Sequence, residues 1–259
     1  MKNPIMPVLF VGHGSPLNAI NNSAFAENWQ KIADSFPKPR AILAISAHWS
    51  TNGQFINNAM HPQQIYDMYG FPKALYDLKY PAPGSPELVE SIRSLIPDIN
   101  IDNTWGIDHG IWSILTWMYP NADIPVVEMS INASVSLEAS YQFAQQLAPL
   151  SEQGVLILAS GNIVHNLRLV NWESKACDHW ATDFDDALIK LVESHDVKRL
   201  FNYRQLPNAD KAVPTIEHLQ PLYYALGAAG KDAKVTLFNH GGELGSISMS
   251  SFIFQKNSD

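Results

Sequence analysis

Val8-Leu9-Phe10-Val11-Gly12-His13-Gly14-Ser15-Pro16 is a run of four apolar residues followed at once by a histidine between two glycines. The arrangement recurs. Ala41-Ile42-Leu43-Ala44-Ile45 leads into Ser46-Ala47-His48-Trp49, and Val155-Leu156-Ile157-Leu158 leads into Gly161-Asn162-Ile163-Val164-His165-Asn166. Runs that are apolar at every position, rather than every second one, have both faces buried. That is the mark of strands in a parallel sheet covered by helices. Ligands of such sheets bind beyond the carboxyl ends of the strands. Three imidazoles delivered to that edge point to a metal or acid–base site, and hence to an enzyme.

Outward from these runs, the pattern predicts helices between strands. Ser23 is a helix N-cap for residues 23–36, ended by Phe36-Pro37-Lys38-Pro39. Ser85-Pro86-Glu87 combines an N-cap, a proline in the first turn and an acid at the positive dipole end. Further helices are expected from about Asp108, over 136–150, over 180–193 and over 215–229, the last stopped by Gly230. Strands are expected at 124–131, 234–239 and 247–254, the last antiparallel at the sheet edge. Residues 52–84, rich in Pro, Gly, Tyr and Asn, read as a long ordered excursion whose aromatic content argues against disorder. No linker or repeat divides the chain, so residues 1–259 are expected to form one α/β domain with a mostly parallel sheet flanked by helices and a site at the carboxyl edge of the strands.

Composition narrows the class of function. The chain of 259 residues is 46% apolar, enough for a substantial core. Its net charge of -8 and lack of a basic cluster exclude a nucleic-acid surface. A single cysteine, Cys177, excludes an internal disulfide and a cysteine-rich zinc site. No apolar stretch is long enough to span a membrane, and no signal peptide is read at the start. A cytoplasmic protein, monomer or small homo-oligomer, is expected.

The histidines differ in what their surroundings favour. His13 and His48, each just past a strand, are metal-ligand candidates. His165 is either a ligand or a general base, since a neutral imidazole suits both. His218, read in the first turn of a helix, would oppose the helix dipole as a cation, which favours its neutral, metal-binding form. Its neighbour Glu217 is the competing carboxylate. Adjacent helical residues diverge by about 100°, so one of the two faces the site. His109, after a capping Asp108, sits where a helix start could bind an anion or phenolate. His61, His179, His195 and His240 have weaker contexts, and no H-x-x-x-H pair is present. Tyr66, Tyr69, Tyr76, Tyr80 and Trp105 read first as core or loop anchors and second as walls of an aromatic pocket. Arg168 is either a substrate-carboxylate partner or a surface ion pair.

The segments GHGSP at 12–16, SAHW at 46–49, GFPKALYDLKYPAPGSPEL at 70–88, WGIDHGIW at 105–112, ASGNIVHNLR at 159–168 and PTIEHLQPLYYALGA at 214–228 occur in this order over nearly the whole chain. Together they resemble the class III extradiol ring-cleavage dioxygenases, in the bacterial type of the 4,5-DOPA dioxygenase extradiol-like branch. The resemblance implies one metal site with His13 and His48 as ligands and His218 completing the shell. It implies His165 as the acid–base histidine, near enough to be a fourth ligand to zinc, and His109 as a second active-site histidine that orients substrate or dioxygen. It implies Fe(II) for activity, with Zn(II) able to occupy the site in isolated protein, and a small-molecule catechol and O2 as reactants. Classical extradiol enzymes place two histidines and a carboxylate on iron, so Glu217 remains the alternative third ligand. Two rival readings stand beside this one. A zinc-dependent hydrolase could use the same histidines, with Ser15 as a hinted nucleophile, although the order does not match a G-x-S-x-G elbow. A non-catalytic metal- or ligand-binding protein could keep the scaffold.

Overall fold

The computed structural model describes residues 4–256. Its strands are β1 (Val8–Gly12), β2 (Ala41–Thr51), β3 (Phe55–Ile56), β4 (Asn100–Ile101), β5 (Val126–Asn132), β6 (Val155–Gly161), β7 (Lys234–Asn239), β8 (Gly242–Glu243), β9 (Ile247–Ser248) and β10 (Ser251–Gln255). Eight of them form one sheet in the order β4-β3-β5-β2-β6-β1-β10-β7, while β8 and β9 pair as a hairpin. The central four, β5, β2, β6 and β1, run parallel. They are the continuous apolar runs, and the reason is visible in the packing. Alternate residues point to opposite faces, and both faces are covered. Val8, Phe10, Leu43, Ile45 and Ile157 pack on the side of the helices His179–Glu193 and Gln220–Ala229. Leu9, Val11, Ile42, Ala44 and Leu158 pack on the side of Ala24–Ala33 and His109–Met118. Each such large side chain contributes about 1.5–3 kcal/mol by leaving water.

Polar caps start the helices where expected. Ser23, Ser85 and Asp108 accept backbone N–H groups of Ala26, Leu88 and Gly110. Two helices differ from the expectation. That over 136–150 is broken into Leu137–Gln145 and Pro149–Glu152, because Pro149 has no N–H to continue the ladder. That over 215–229 begins only at Gln220, with Pro221 in its first turn, where a missing N–H is harmless. His218 therefore lies in the turn before the helix, not in the helix itself. Gly230 ends the helix with φ +79°.

The expected strand 247–254 is also divided, and its second half is not at the edge. β10 lies between β1 and β7, antiparallel to both, and β7 forms the rim. Met249 and Ser250 leave the ladder. Met249 backbone passes so close to Gly12 that a Cβ there would approach within 2.8 Å. Ser248 and Ser250 hydroxyls both donate to buried Asp185, each at 2.6 Å.

Asp185 gives a pH prediction. Burial pushes its carboxyl up to about 6, against the Ser248 and Ser250 hydrogen bonds that lower it. An unfolded Asp titrates near 3.9 (approximately). Between these values the folded state holds a proton that the unfolded chain has released. Stability is therefore full below pH about 4 and falls as pH rises through about 6, by an amount on the order of 3 kcal/mol. Asp185→Asn should flatten this part of the pH–stability curve, measured by urea unfolding on either side of the window.

The excursion 52–84 is ordered. Tyr66 and Tyr80 hydroxyls donate to the carbonyls of Leu78 and Tyr119 at 2.6 and 3.0 Å, so both anchor loops, while Tyr69 is exposed. Trp105 stacks on Trp49. Cys177 is half-buried, and burial pushes its thiol up to about 12, so it is an inert thiol. Among the described residues no helix is long and apolar enough to cross a membrane.

Candidate active site

The site lies at the carboxyl ends of β1, β2 and β6. β1 stops at Gly12, and His13 follows. Gly14 has φ +63°, and a Cβ there would meet Met249 and Glu243. Glu243 Oε1 accepts from Ser15 N at 2.7 Å and from Asn18 Nδ2 at 3.0 Å, while Asn18 also donates to the His13 carbonyl. The His13 turn is thus pinned from the β8–β9 hairpin. Ser15 Oγ accepts Leu17 N–H and caps the short turn Pro16–Ala19, so its hydroxyl has a structural task.

β2 and β5 lose register between Ile45 and Ser50. This irregularity, of the kind that re-aims side chains at functional sites, carries Ser46, Ala47, His48 and Trp49. Ser46 Oγ accepts His48 N–H at 3.1 Å and donates to Asp108 Oδ1 at 2.8 Å. Asp108 also caps the helix His109–Met118, so β2 and that helix start are tied together. Beneath them Glu128 accepts Trp105 Nε1–H and Asp108 N–H, and burial plus the nearby Asp108 push Glu128 well above the usual carboxylate range.

β6 lies between β1 and β2, and Ser160 stands in register with Val11 and Ser46. The Ser160 hydroxyl donates to Gly110 O at 2.5 Å, so it accepts from His13 Nδ1 at 2.9 Å. With its proton on Nδ1, neutral His13 offers Nε2 as a free lone pair. That atom lies 3.1 Å from His48 Nε2. His218 completes the group. Its Nδ1 is 3.4 Å from Glu217 Oε1, and its Nε2 is buried without any partner. Glu217 accepts the Thr215 hydroxyl at 2.6 Å. Of the two competing neighbours, the imidazole joins the cluster and the carboxylate stays behind it.

His165 stacks on His218 with ring centroids 3.5 Å apart and planes 5° from parallel. His109 lies against His48, centroids 4.0 Å apart. Its Nδ1 and backbone N–H both donate to Asp67 Oδ1, at 2.9 and 3.1 Å. The other oxygen, Asp67 Oδ2, is 3.0 Å from His48 Nδ1, a close charge contact whose alignment falls short of a hydrogen bond. All five expected site histidines are thus brought together. His240 instead pairs with Asp186 at the surface, and Arg168 is exposed.

Burial governs the charges. It holds His13, His218 and His165 well below the ordinary imidazole value, reinforced by neighbouring histidines, so each is neutral at pH 7. Burial, then His48, lowers His109 despite Asp67. Burial also pulls on His48, but contact with Asp67 and the field of Asp108 outweigh it and raise the value. Burial works against ionised Asp67, yet its contacts with His109 and His48 keep it below the usual carboxylate range.

These residues fit a metal ion. His13, His48 and His218 each offer a ligand atom, all within 4.8 Å of one another. The facing Nε2 atoms of His13 and His48 and the orphaned Nε2 of His218 have no better protein partner, and a buried unpaired nitrogen is costly. Three imidazoles suit Zn or Fe and leave further positions for small molecules. His48, Asp67 and His109 form a second close group, but it shares His48.

Asp67 and Ser160 escaped the sequence reading. Asp67 lies in the aperiodic excursion, where nothing local marks it. Ser160 had a signal, since it is a hydroxyl inside an apolar strand, as Ser46 is inside another. Gly161 supplies a further test. A Cβ there would sit 2.2 Å from the His218 carbonyl oxygen, which already accepts Asn162 N–H at 2.8 Å. Gly161→Ala should destabilise the fold by about 1–3 kcal/mol and displace His218, read as a lower melting temperature together with weaker metal binding.

The chain is similar to several known proteins. The family described as the catalytic LigB subunit of aromatic ring-opening dioxygenase matches residues 7–254. A 4,5-DOPA dioxygenase extradiol of Escherichia coli (strain K12) is 40% identical over 260 residues, covering 96% of this chain and 94% of its own. One from Beta vulgaris is 38% identical over 263 residues, covering 98% of each. The crystal structure of the uncharacterized protein JW3007 from Escherichia coli K12 matches with a TM-score of 0.81 at 37% identity, over 96% of this chain and 99% of the other.

Proposed function

The chain belongs to the family of the catalytic LigB subunit of aromatic ring-opening dioxygenase, and from that premise we propose that it opens a catechol such as L-DOPA beside the diol, by 4,5-cleavage, incorporating both atoms of O2. The observation that carries the reading is the convergence of His13, His48 and His218, with one Nε2 buried and unpartnered. These three residues would hold Fe(II). The bound ion supplies Lewis acidity that favours the catecholate, together with the redox chemistry that dioxygen needs.

The chain's own groups do the rest. His165, neutral and stacked on His218, accepts a phenolic proton at a ring nitrogen and later returns it as a general acid. His109, its Nδ1 engaged by Asp67, presents Nε2 for a substrate oxygen. Trp112, whose ring lies between Tyr66 and His109, provides an apolar wall on that side. His165 would remain free to carry its proton during turnover and would be near enough to serve as a fourth ligand if zinc filled the site. The hydrolase alternative is not favoured by the relatives, and Ser15 caps a turn. The reading places the working enzyme in the cytoplasm, as a monomer or small homo-oligomer.

The test is oxygen uptake by protein stripped of metal and reloaded anaerobically with Fe(II), with L-DOPA as substrate and zinc-loaded protein as control. Iron-dependent uptake with a yellow ring-opened product is the expected result. No uptake with DOPA and several simpler catechols, at full iron occupancy, would contradict it.

A further inference from the structure

Asp67 carries a partly buried carboxylate that no lysine or arginine among the described residues neutralises. It belongs to no helix or strand, and its segment is fastened beside the site independently. Ile65 N–H donates to the Ile107 carbonyl and Ile107 N–H to the Gln63 carbonyl, each at 2.8 Å. Gly106 permits that approach, since a Cβ there would lie 1.9 Å from the Gln63 carbonyl oxygen. The loop is thus held by backbone bonds, to which the carboxylate adds the His109 N–H that it accepts at 3.1 Å. A charge set that deep is costly unless hydrogen-bonded, and its two oxygens are directed at two different rings. Oδ1 takes His109 Nδ1 at 2.9 Å, and Oδ2 faces His48 Nδ1 at 3.0 Å.

We propose that Asp67 is a shared positioning residue, which holds the Nδ1 protons of His48 and His109 together and so turns both Nε2 atoms inward, one to the metal and one to the substrate. The inference rests on the ligand set proposed above. Metal-binding histidines commonly donate their second nitrogen to a carboxylate, which fixes tautomer and ring orientation. Here one carboxylate does this for a ligand and for a histidine outside the ligand set, whose rings lie 4.0 Å apart. The consequence for chemistry is definite. With Nδ1 engaged by Asp67, His109 turns Nε2 toward the substrate as a hydrogen-bond acceptor. A displacement of Asp67 moves both rings at once, linking the metal's position to that of the substrate oxygen.

Asp67→Asn tests this, because an amide offers one acceptor and one donor and cannot receive both Nδ1 protons. Zinc, which is diamagnetic, serves as the probe. Chelator competition should show zinc affinity about 10–100-fold weaker in the variant, with the melting temperature of the metal-free protein unchanged. Nitrogen NMR of isotope-labelled wild-type protein with zinc bound should show His48 and His109 both protonated at Nδ1. Wild-type zinc affinity in the variant, or a neutral His109 protonated at Nε2 in the wild type, would overturn the proposal while leaving the ligand set intact. A wild-type protein that binds no zinc would overturn the ligand set as well. Should the variant fail to fold, the wild-type tautomers decide alone.

Discussion

His48→Ala is expected to abolish metal retention and, with it, ring-opening turnover. His48 is delivered by the irregular stretch where the register of β2 on β5 shifts. Its Nε2 lies 3.1 Å from that of His13, and its loss leaves one strand-end imidazole and His218 to hold the ion. Removing an outer-shell partner typically costs 10–100-fold in metal affinity, so removing a ligand should cost more than about 100-fold. The substitution also removes the imidazole that lies 3.0 Å from Asp67 Oδ2, so this carboxylate loses a charge contact and stability should fall. Chelator competition and thermal unfolding read the two effects separately. His61→Ala, at an exposed position outside the cluster, should change neither. Wild-type metal affinity in His48→Ala would remove His48 from the ligand set.

His165→Ala should behave in the opposite sense. The ring stacks on His218 without sharing its buried nitrogen, so the three proposed ligands remain and metal content should stay near that of the wild type. What disappears is the neutral base that burial and the neighbouring His218 and His48 maintain at pH 7. General acid–base groups contribute about 10²–10⁴-fold, and the loss should fall on kcat more than on KM. Because the lost stacking could let His218 shift, His165→Gln is a useful companion that fills part of the space. Full activity in either variant would assign the proton transfer elsewhere, with His109 the next group in line. Loss of metal in His165→Gln would instead make His165 a ligand.

The parallel core was legible because burial on two faces leaves continuous apolar runs, as in Val8–Gly12 and Val155–Gly161. Helix starts were legible where a polar cap writes them, at Ser23, Ser85 and Asp108. The late start of the helix before Gly230 is hidden in the sequence because Ile216 and Leu219 extend the apolar period upstream, whereas Pro221 marks the true first turn. The break at Met249 and Ser250 depends on Gly12 and Asp185, both far away in sequence. The same limit governs the site. Strand-end histidines could be read locally, but which of Glu217 and His218 turns toward the cluster depends on a turn packed on Gly161. Asp67 is meaningful only once the excursion folds back on Ile107.

The most direct test of the central claim is the fate of labelled dioxygen. Fe(II)-loaded protein should be given a catechol under heavy-isotope O2 in ordinary water and the ring-opened product examined promptly by mass spectrometry, before carbonyl exchange. The expected product is opened beside the diol and carries both labelled atoms. A product without label, or a catechol left intact in protein whose iron occupancy is confirmed, would contradict it.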